Sequence, residues 1–352
     1  MARAEPSDDP AVNREGLRRY LAEHAPELAG EFEVERLGEG QSCLTFLLTG
    51  DGWEVVLRRP PRGDLPPSAF DVTREYRVMH ALAGYDAGVP VPRPLLLRED
   101  RDVIGAPFYL MERVEGHVVR ADLPEELSSN ADRKRMGHQL VDTLLALRAV
   151  DWRAAGLETF GRPSGYLERQ LLRMHQLWRL AKFREIPEIE RAGMWLAERT
   201  PQVSEQAIVH GDYKLDNVIF ARHSPATIVA VVDWEMSTIG DPLADLGWLL
   251  YFWRDPGDPP LGLRIASVTD LDGFPRRRDV LERYATNVGA PTEQQVRWYV
   301  ALAGWKIAII MEGSYRRFLG GVTDHPAFAQ LEEAVPALAL RSLQAATGEL
   351  EL

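Results

Sequence analysis

The chain has 352 residues, of which 45% are apolar, and a formal net charge of −12 at neutral pH. At roughly 150 residues per domain, this length is enough for two lobes or one large domain. The acidic balance argues against a nucleic-acid partner, because contact with phosphates normally requires a basic surface. A single cysteine, Cys43, excludes an intramolecular disulfide and favours a reducing, cytoplasmic setting.

The termini and apolar runs predict neither a leader nor a membrane anchor. Residues 1–13 are polar and acidic, without the hydrophobic core of a signal peptide, and we expect them to be disordered. The longest apolar runs, at 246–253 and 299–311, are too short to span a bilayer.

The first third of the chain predicts strands around one helix. Strands are expected at 32–37, 44–49, 53–59 and 108–114, with glycine turns after the first two. A helix is expected at 68–83, because Val72, Tyr76, Met79 and Leu82 recur at helical spacing. The proline-rich segment 89–94 must be extended and is interpreted as a rigid connector.

Beyond Glu115 the pattern becomes mainly helical. Helices are expected at 131–150, 163–183, 186–199, 245–254, 277–288, 292–318 and 327–346. Short β-branched runs at 207–210, 218–220 and 227–232 interrupt them. The sequence therefore predicts an α+β, two-lobed architecture, with a small N-lobe (14–115), a larger helical C-lobe (116–352) and the chemistry in the cleft between them.

The strongest functional signal is a polar segment between two apolar β runs. Within residues 208–220 stand His210, Asp212, Lys214, Asp216 and Asn217. Loops between buried strands are where rigid scaffolds present reactive groups. Capping a loop requires fewer polar side chains than these, so we interpret the segment as a site.

A second signal is Asp233, which ends the apolar run at 228–232. A buried carboxylate is costly without a partner, so a cation or metal is expected beside it. Asp212, Asn217 and Asp233 all offer oxygen donors, which suit Mg²⁺ better than zinc.

The motif His210-Gly-Asp212 with Asn217, followed by Asp233-Trp-Glu235, resembles the aminoglycoside-phosphotransferase and choline-kinase branch of the protein-kinase-like fold. Segments 55–61, 111–116, 240–248 and 305–313 are most similar to the kinase domain of acyl-CoA dehydrogenase fusion proteins. The resemblance implies a two-lobed kinase-like fold, with an antiparallel N-lobe sheet and one key helix.

The resemblance also implies residue roles. Asp212 is expected to act as the base for the acceptor hydroxyl, with Lys214 near the transferred phosphoryl group. Asn217 and Asp233 are expected to hold Mg²⁺. His210 is expected to orient the loop. For Asp216 and Glu235, a position at the surface or behind the metal ligands and a direct metal contact both stay open.

The glycine turn Gly38-Glu-Gly40-Gln-Ser42-Cys43 fits a strand-turn-strand cover for phosphates, because glycine lets backbone N–H groups approach closely. Ser42 is expected to donate one contact. Cys43 stands where protein kinases have a third glycine, so the phosphate contacts of this loop are not fixed by the resemblance.

Arg58 stands where kinases place the lysine that binds the α- and β-phosphates, and it keeps a fixed positive charge. Its expected partner is Glu75, which falls within the apolar stripe of the predicted helix; a solvated glutamate is the alternative. The neighbouring Arg59 is expected to face solvent. The resemblance further places adenine contacts at the backbone of Glu112 and Val114.

Two features concern the C-lobe. Asp245 opens an apolar helix, and it is expected to cap that helix, to accept from the catalytic-loop backbone, or both. Lys306 lies in the most apolar part of the 292–318 helix, so we expect it, with Arg316 or Arg317, to receive an anionic acceptor; a snorkelling lysine and a Glu312–Arg316 intrahelical pair are the alternatives.

Together these features predict an enzyme that moves the γ-phosphoryl group of Mg²⁺–ATP, or another nucleotide, to a hydroxyl of a small molecule. The resemblance suggests a hydroxyacyl-type acceptor, including a CoA thioester. An aminoglycoside or amino-alcohol acceptor and a non-catalytic nucleotide-binding module are the alternatives. The expected partners of this protein are a nucleotide and a small hydroxylated substrate. Neither a nucleic acid nor a membrane is expected as a partner.

Overall fold

The computed structural model describes residues 11–38, 43–61, 71–85, 88–203, 205–262, 268–322 and 326–352. Within these ranges the first part of the chain forms a five-stranded antiparallel sheet in the order β1-β2-β3-β5-β4. Its strands are β1 Phe32–Arg36, β2 Leu44–Gly50, β3 Trp53–Arg59, β4 Pro94–Arg98 and β5 Phe108–Glu112. The four predicted strands are confirmed, and β4 is an additional strand that continues the extended connector.

One face of this sheet is covered by a helix that was not predicted, α1 (Arg14–His24). The Asn13 side chain caps it by accepting a hydrogen bond from the Gly16 N–H at 3.1 Å. Leu17 and Leu21 are fully buried against apolar side chains of the sheet. With only these two buried positions in eleven residues, α1 lacks the periodic signal of a longer amphipathic helix.

The expected disorder of residues 1–13 is wrong for residues 11–13. Ala11 and Val12 are buried in the same apolar cluster as α1, and Asn13 is the α1 cap. The apolar sheet face explains this order, because even a short segment that covers it removes apolar surface from water. Residues 1–10 lie outside the described residues.

The expectation that Arg59 faces solvent is also wrong. Side chains alternate along β3, and Arg59 points to the face that α1 and its leading residues cover. It is 4% exposed, and its guanidinium donates to the carbonyl oxygens of Pro60 at 3.0 Å and of Ala11. Backbone carbonyl groups therefore replace water around this buried charge.

The opposite face of the sheet packs against α2 (Val72–Gly84). Asp71 caps this helix, accepting from the N–H groups of Thr73 at 3.1 Å and Arg74 at 3.3 Å. The helix was predicted to start at residue 68, but the capped start is Asp71; residues 62–70 lie outside the described residues. The buried stripe of α2 includes Glu75, which turns a carboxylate toward the sheet.

Beyond the sheet, the described chain is mainly helical. Its helices are α3 Asn130–Ala149, α4 Tyr166–Ala181, α5 Pro187–Glu198, α6 Leu243–Phe252, α7 Arg277–Val288, α8 Glu293–Leu319 and α9 Leu331–Thr347. All seven lie within about one turn of their predicted positions. The central helix is α8, which packs against α4, α5, α6 and α9.

Two short antiparallel ladders interrupt these helices. Strand β6 (Ala207–Val209) pairs with β9 (Thr238–Gly240), and β7 (Val218–Phe220) pairs with β8 (Ile228–Val231). The loop 210–217 joins β6 to β7, and residues 232–237 join β8 to β9. Both polar segments that the sequence singled out therefore emerge from the same pair of ladders.

The described helices show no membrane-crossing candidate: none of them combines sufficient length with sufficient apolar character. The longest, α8, has 27 residues and buries two ionisable side chains, Lys306 and Glu312, among its apolar ones.

The described architecture is the one that the sequence predicted. It consists of a small antiparallel sheet, one helix, α2, packed closely on the ladder side of that sheet, and a larger helical lobe.

Glu312 does not form the intrahelical pair with Arg316 that its spacing allows. Its side chain is fully buried, and Arg184, which follows α4, donates from Nε to Oε1 at 3.0 Å and from Nη2 to Oε2 at 2.9 Å. Arg316 instead donates to the Leu180 carbonyl oxygen. The helix register turns Glu312 inward, where Arg184 from another segment reaches it.

Arg184→Met should therefore lower the free energy of unfolding by roughly 3 kcal/mol, because it leaves the Glu312 carboxylate buried without its partner. Urea unfolding followed by tryptophan fluorescence measures this loss. The double variant Arg184→Met/Glu312→Leu removes both charges and should regain part of it. A double variant no more stable than the single one would show that lost packing, rather than an unpaired charge, is the cause.

Candidate active site

The backbone of the loop 210–217 is held by Asp245, which lies in the first turn of α6 and is 2% exposed. Its Oδ2 accepts from the His210 N–H at 2.7 Å and its Oδ1 from the Gly211 N–H at 2.8 Å. Asp241 accepts from the Leu243 N–H at 2.9 Å at the start of α6. Of the two roles left open by the sequence, Asp245 therefore has the one toward the catalytic-loop backbone.

The His210 ring ties the same loop to the end of β8. The Asp212 N–H donates to Nδ1 at 3.2 Å, and Nε2 lies 3.0 Å from the Val232 carbonyl oxygen. Since Nδ1 accepts, Nε2 is assigned the proton and donates to Val232. With both ring nitrogens bonded to backbone and the ring fully buried, this histidine has the surroundings of a loop-orienting residue.

The Asp212 carboxylate accepts three side-chain hydrogen bonds. Lys214 Nζ and Asn217 Nδ2 each donate to Oδ2 at 2.7 Å, and Trp248 Nε1 donates to Oδ1 at 2.9 Å. The Asp212 side chain is 21% exposed, so the oriented carboxylate is still accessible from solvent. A fixed but accessible carboxylate is what a general base requires.

Lys214 lies between two carboxylates, with Nζ 2.7 Å from Asp212 Oδ2 and 3.5 Å from Asp216 Oδ1. Burial disfavours the charge of Lys214, but the two aspartates outweigh it and raise its pKa. Burial raises the pKa of Asp216, and Lys214 opposes that shift. Asp216 Oδ1 is buried without a hydrogen-bond partner, so this side chain turns inward rather than to the surface.

The two expected magnesium ligands lie on adjacent segments. The Val232 N–H donates to the Asn217 carbonyl oxygen at 2.9 Å, which places Asn217 next to the residue before Asp233. The Asn217 amide nitrogen donates to the Asp212 carbonyl oxygen at 2.8 Å as well as to its carboxylate, so the amide oxygen turns away from Asp212. Asp233 has a φ of +69°, a left-handed conformation that costs most residues energy.

This donor set fits Mg²⁺. It consists of the Asn217 amide oxygen and the Asp233 carboxylate, whose second oxygen is not used by Arg58. No group of three or more histidine, cysteine, aspartate or glutamate side chains that could enclose a metal occurs among the described residues. Mg²⁺ does not need one, because it normally binds one or two protein carboxylates together with waters and phosphates.

Arg58, at the end of β3, bridges two carboxylates from different parts of the fold. Its Nε lies 3.1 Å from Glu75 Oε2, and its Nη2 donates to Asp233 Oδ1 at 3.1 Å. The predicted Arg58–Glu75 ion pair is confirmed, whereas the contact with Asp233 was not predicted. Glu75 is 1% exposed; burial raises its pKa, and Arg58 opposes that shift.

The glycine turn is only partly described. Gly40 and Ser42 lie outside the described residues, and their phosphate contacts stay predictions. Gly38 has a φ of +73°, which glycine adopts without strain. Cys43 is buried, and this burial raises the pKa of its thiol to about 12.

The segment expected to contact adenine follows β5. The Glu112 N–H donates to the Arg93 carbonyl oxygen at 2.9 Å, and the Glu112 carboxylate accepts from the Arg93 N–H at 2.9 Å. The Glu112 N–H is therefore already used by the protein. Adenine contacts at Glu112 and Val114 stay predictions.

Lys306 lies next to Trp248, the indole that bonds to Asp212. It is 7% exposed, and its Nζ is 5.2 Å from the centre of the Trp248 ring. In the described part of the chain it has no ion-pair partner. Burial lowers the pKa of Lys306 to about 8; Asp245 and Asp212 oppose this shift, and Arg173 adds to it.

The structure does not bring Arg316 to Lys306. Ten residues along an α-helix correspond to about 15 Å, and Arg316 is bonded to the end of α4. The cation near Lys306 is instead Arg173 on α4, which sequence analysis missed. Two residues after Arg173 on α4, the His175 ring lies 4.9 Å from the Trp305 ring, so α4 packs against α8 at this point.

Comparison with solved structures supports a kinase-like phosphotransferase fold. A candidate aminoglycoside phosphotransferase of Ralstonia eutropha JMP134 is 33% identical, with a TM-score of 0.79 over 96% of this chain and 99% of that one. A thermostable mutant of aminoglycoside phosphotransferase APH(4)-Ia, solved with AMP-PNP and hygromycin B, is 18% identical, with a TM-score of 0.60 over 93% and 98% of the two chains. At that identity, the second likeness concerns the fold alone.

Among curated proteins, acyl-CoA dehydrogenase family member 11 of Gallus gallus is 36% identical over 343 residues. The match covers 93% of this chain and 43% of that protein, so the chain spans less than half the length of this relative. The sequence profile of the phosphotransferase enzyme family matches residues 33–280, which include the sheet, α2, both ladders and Asp245. The chain belongs to the phosphotransferase enzyme family.

Proposed function

We propose that this phosphotransferase moves the γ-phosphoryl group of ATP, or another nucleoside triphosphate, with Mg²⁺ to a hydroxyl group of a small molecule. The observation that supports this most directly is the Asp212 carboxylate, which is oriented by Lys214, Asn217 and Trp248 and is still partly exposed. Asp233 follows the residue that bonds to Asn217, and it pairs with Arg58; for these two residues the resemblance implies metal and nucleotide contacts.

Each residue of the loop has a role in this proposal. Asp212 orients the acceptor hydroxyl and takes its proton as the new P–O bond forms and the bond to the leaving diphosphate breaks. Lys214 faces the transferred group, and Asn217 with Asp233 would hold Mg²⁺. When bound, Mg²⁺ neutralises charge on the phosphate oxygens.

The nucleotide side is formed by the N-lobe. Arg58 supplies the cation for the inner phosphates, and Glu75 fixes its direction at 3.1 Å. Asp233 is 30% exposed and gives one oxygen to Arg58, so the other is available to a metal. The Gly38–Ser42 turn is proposed to cover the phosphates. The backbone at Glu112 and Val114 is proposed to contact adenine.

For the acceptor we propose an anionic hydroxyacyl compound, including a hydroxyacyl-CoA. Lys306 is a buried ammonium group without an ion-pair partner in the described residues, and it lies next to Trp248, the indole that bonds to Asp212. An acceptor carboxylate or phosphate would compensate that charge, whereas a polycationic aminoglycoside would be repelled by it and by Arg173. The name of the Gallus gallus relative agrees with an acyl substrate.

An aminoglycoside or amino-alcohol acceptor is the second candidate, favoured by the description of the Ralstonia eutropha structure. A non-catalytic nucleotide-binding module is disfavoured, because Asp212, Asn217 and Asp233 are all present and held in place. One experiment separates these possibilities. ADP release from Mg²⁺–ATP is measured with a hydroxyacyl-CoA, the free hydroxy acid, an amino alcohol and an aminoglycoside.

Asp212→Asn should reduce turnover by roughly 10²–10⁴-fold, because the amide cannot accept the hydroxyl proton. Nucleotide affinity, measured by calorimetry, should change little. Asp151→Asn, an isosteric change in an exposed turn, is the control. An Asp212→Asn variant with more than a tenth of the wild-type rate would remove Asp212 from the role of base.

Asp233→Asn should weaken the binding of Mg²⁺–ATP while metal-free ATP binds as in the wild type. Asparagine is chosen because it tolerates the left-handed backbone at this position, so the variant loses the charge without new strain. Titrations with and without Mg²⁺ measure the difference. Equal affinity of the wild type and the variant for Mg²⁺–ATP would show that Asp233 does not hold the metal.

Lys306→Met, which keeps the apolar stem, should raise the acceptor KM at least about tenfold and leave the KM for ATP unchanged. Lys182→Met removes a surface lysine paired with Glu185 and Glu190 and serves as the control. Because the Lys306 pKa is about 8, the ammonium form is present below that value, and acceptor binding should weaken as pH rises through it. An anionic acceptor that the variant uses equally well would make Lys306 structural.

A further inference from the structure

One face of α6 contacts the catalytic loop at two levels. Asp245 accepts from the loop backbone, and Trp248, three residues later and therefore on the same side of the helix, donates to the side chain of Asp212 at 2.9 Å. Trp248 is 3% exposed, so its ring has little freedom to turn away. The same short helix thus determines both the path of the loop and the direction of its carboxylate.

The bond from Trp248 differs from most other indole bonds of the described chain, although Trp178 also bonds a carboxylate, that of the surface residue Glu190. Five other tryptophans donate to backbone carbonyl oxygens at 2.9–3.1 Å: Trp152, Trp234, Trp253, Trp298 and Trp305. Trp248 donates instead to a carboxylate, and hydrogen bonds to ionised groups are about twice as strong as neutral ones. An indole that donates to the reacting carboxylate has a use beyond satisfying its own N–H.

The N–H edge of the Trp248 indole meets Asp212, whereas the face of its ring meets a cation. Lys306 Nζ lies 5.2 Å from the ring centre, within the range of a cation–π contact. An ammonium group over the ring attracts its π electrons and so makes the N–H at the ring edge a better donor. Trp248 is therefore held between the positive Lys306 and the negative Asp212.

We propose that Trp248 is a positioning residue for phosphoryl transfer: its indole N–H fixes the rotation of the Asp212 carboxylate. This inference rests on the proposed role of Asp212 as the base. Lys214 and Asn217 both bond to Oδ2, so Trp248 is the partner that holds Oδ1 among the described residues. The side-chain torsion of an aspartate carboxylate is broad, and without Trp248 its Oδ1 edge can turn away from the acceptor hydroxyl.

The kinetic test compares two tryptophans that lose the same group. Trp248→Phe should lower kcat roughly 10- to 100-fold, the value of a hydrogen bond to a charged group, while the KM for ATP stays unchanged. Trp298→Phe removes a buried indole bond to the Leu196 carbonyl oxygen and should leave kcat within about twofold of the wild type. Equal kcat values for the two variants would overturn the proposal.

A double variant separates positioning from a general structural defect. If Trp248 acts through Asp212, then Trp248→Phe should cost little further activity in an Asp212→Asn background, because the reacting carboxylate is already absent. Rates are measured as ADP release with the acceptor of the panel that gives the highest rate. If the protein uses no acceptor of the panel, the hydrolysis of ATP by water is measured instead. Losses that multiply in the double variant would show that Trp248 acts on the fold and not on the base.

A spectroscopic test needs no acceptor. The chain has nine tryptophans, and the indole N–H resonance of Trp248 in a ¹⁵N-tryptophan sample is identified by its loss in Trp248→Phe. In Asp212→Asn this resonance should move upfield, while that of Trp298 stays in place. An unmoved Trp248 resonance would overturn the contact itself. If the protein transfers phosphate to none of the acceptors but its Trp248 resonance still moves, the proposed function is contradicted while the Trp248–Asp212 contact is supported.

Discussion

The site depends on one buried arrangement of three charges, in which Arg58 lies between Glu75 and Asp233. The arginine comes from the sheet, one carboxylate from α2 and the other from the segment after β8. Glu75 and Arg58 are largely removed from water, which is costly without a partner at close range, and Asp233, which stays partly exposed, completes the arrangement. The ion cluster thereby fixes how the sheet lobe meets the ladders.

A second constraint acts from the other side. Asp245 and Trp248 extend from α6 to the loop 210–217, and the loop in turn bonds to the end of β8 through His210. The polar side chains are thus positioned by buried contacts to helices and strands on both sides. This explains how a loop with five polar or charged residues keeps one conformation: its backbone, its histidine and the Asp212 carboxylate are each bonded to a packed element.

Local patterns predicted much of this structure and non-local ones did not. The strands, the large helices and the residues Asp212, Asn217 and Asp233 were predictable, because periodicity and motif spacing are properties of short segments. The burial of Arg59 was not, since it depends on α1 covering one sheet face, and α1 has only Leu17 and Leu21 as buried anchors. The Trp248 bond and the Arg184–Glu312 pair likewise join residues that are 36 and 128 positions apart, which no local pattern encodes.

The burial of Cys43 has a practical consequence for experiments. It is the single cysteine of the chain, it directly precedes β2, and burial raises the pKa of its thiol to about 12. Alkylating reagents attack thiolates, so they will react with this residue only when the start of β2 opens and exposes it. The rate of labelling therefore measures how often that opening occurs. The chain has no second thiol that could add to the signal, so no engineered probe is needed.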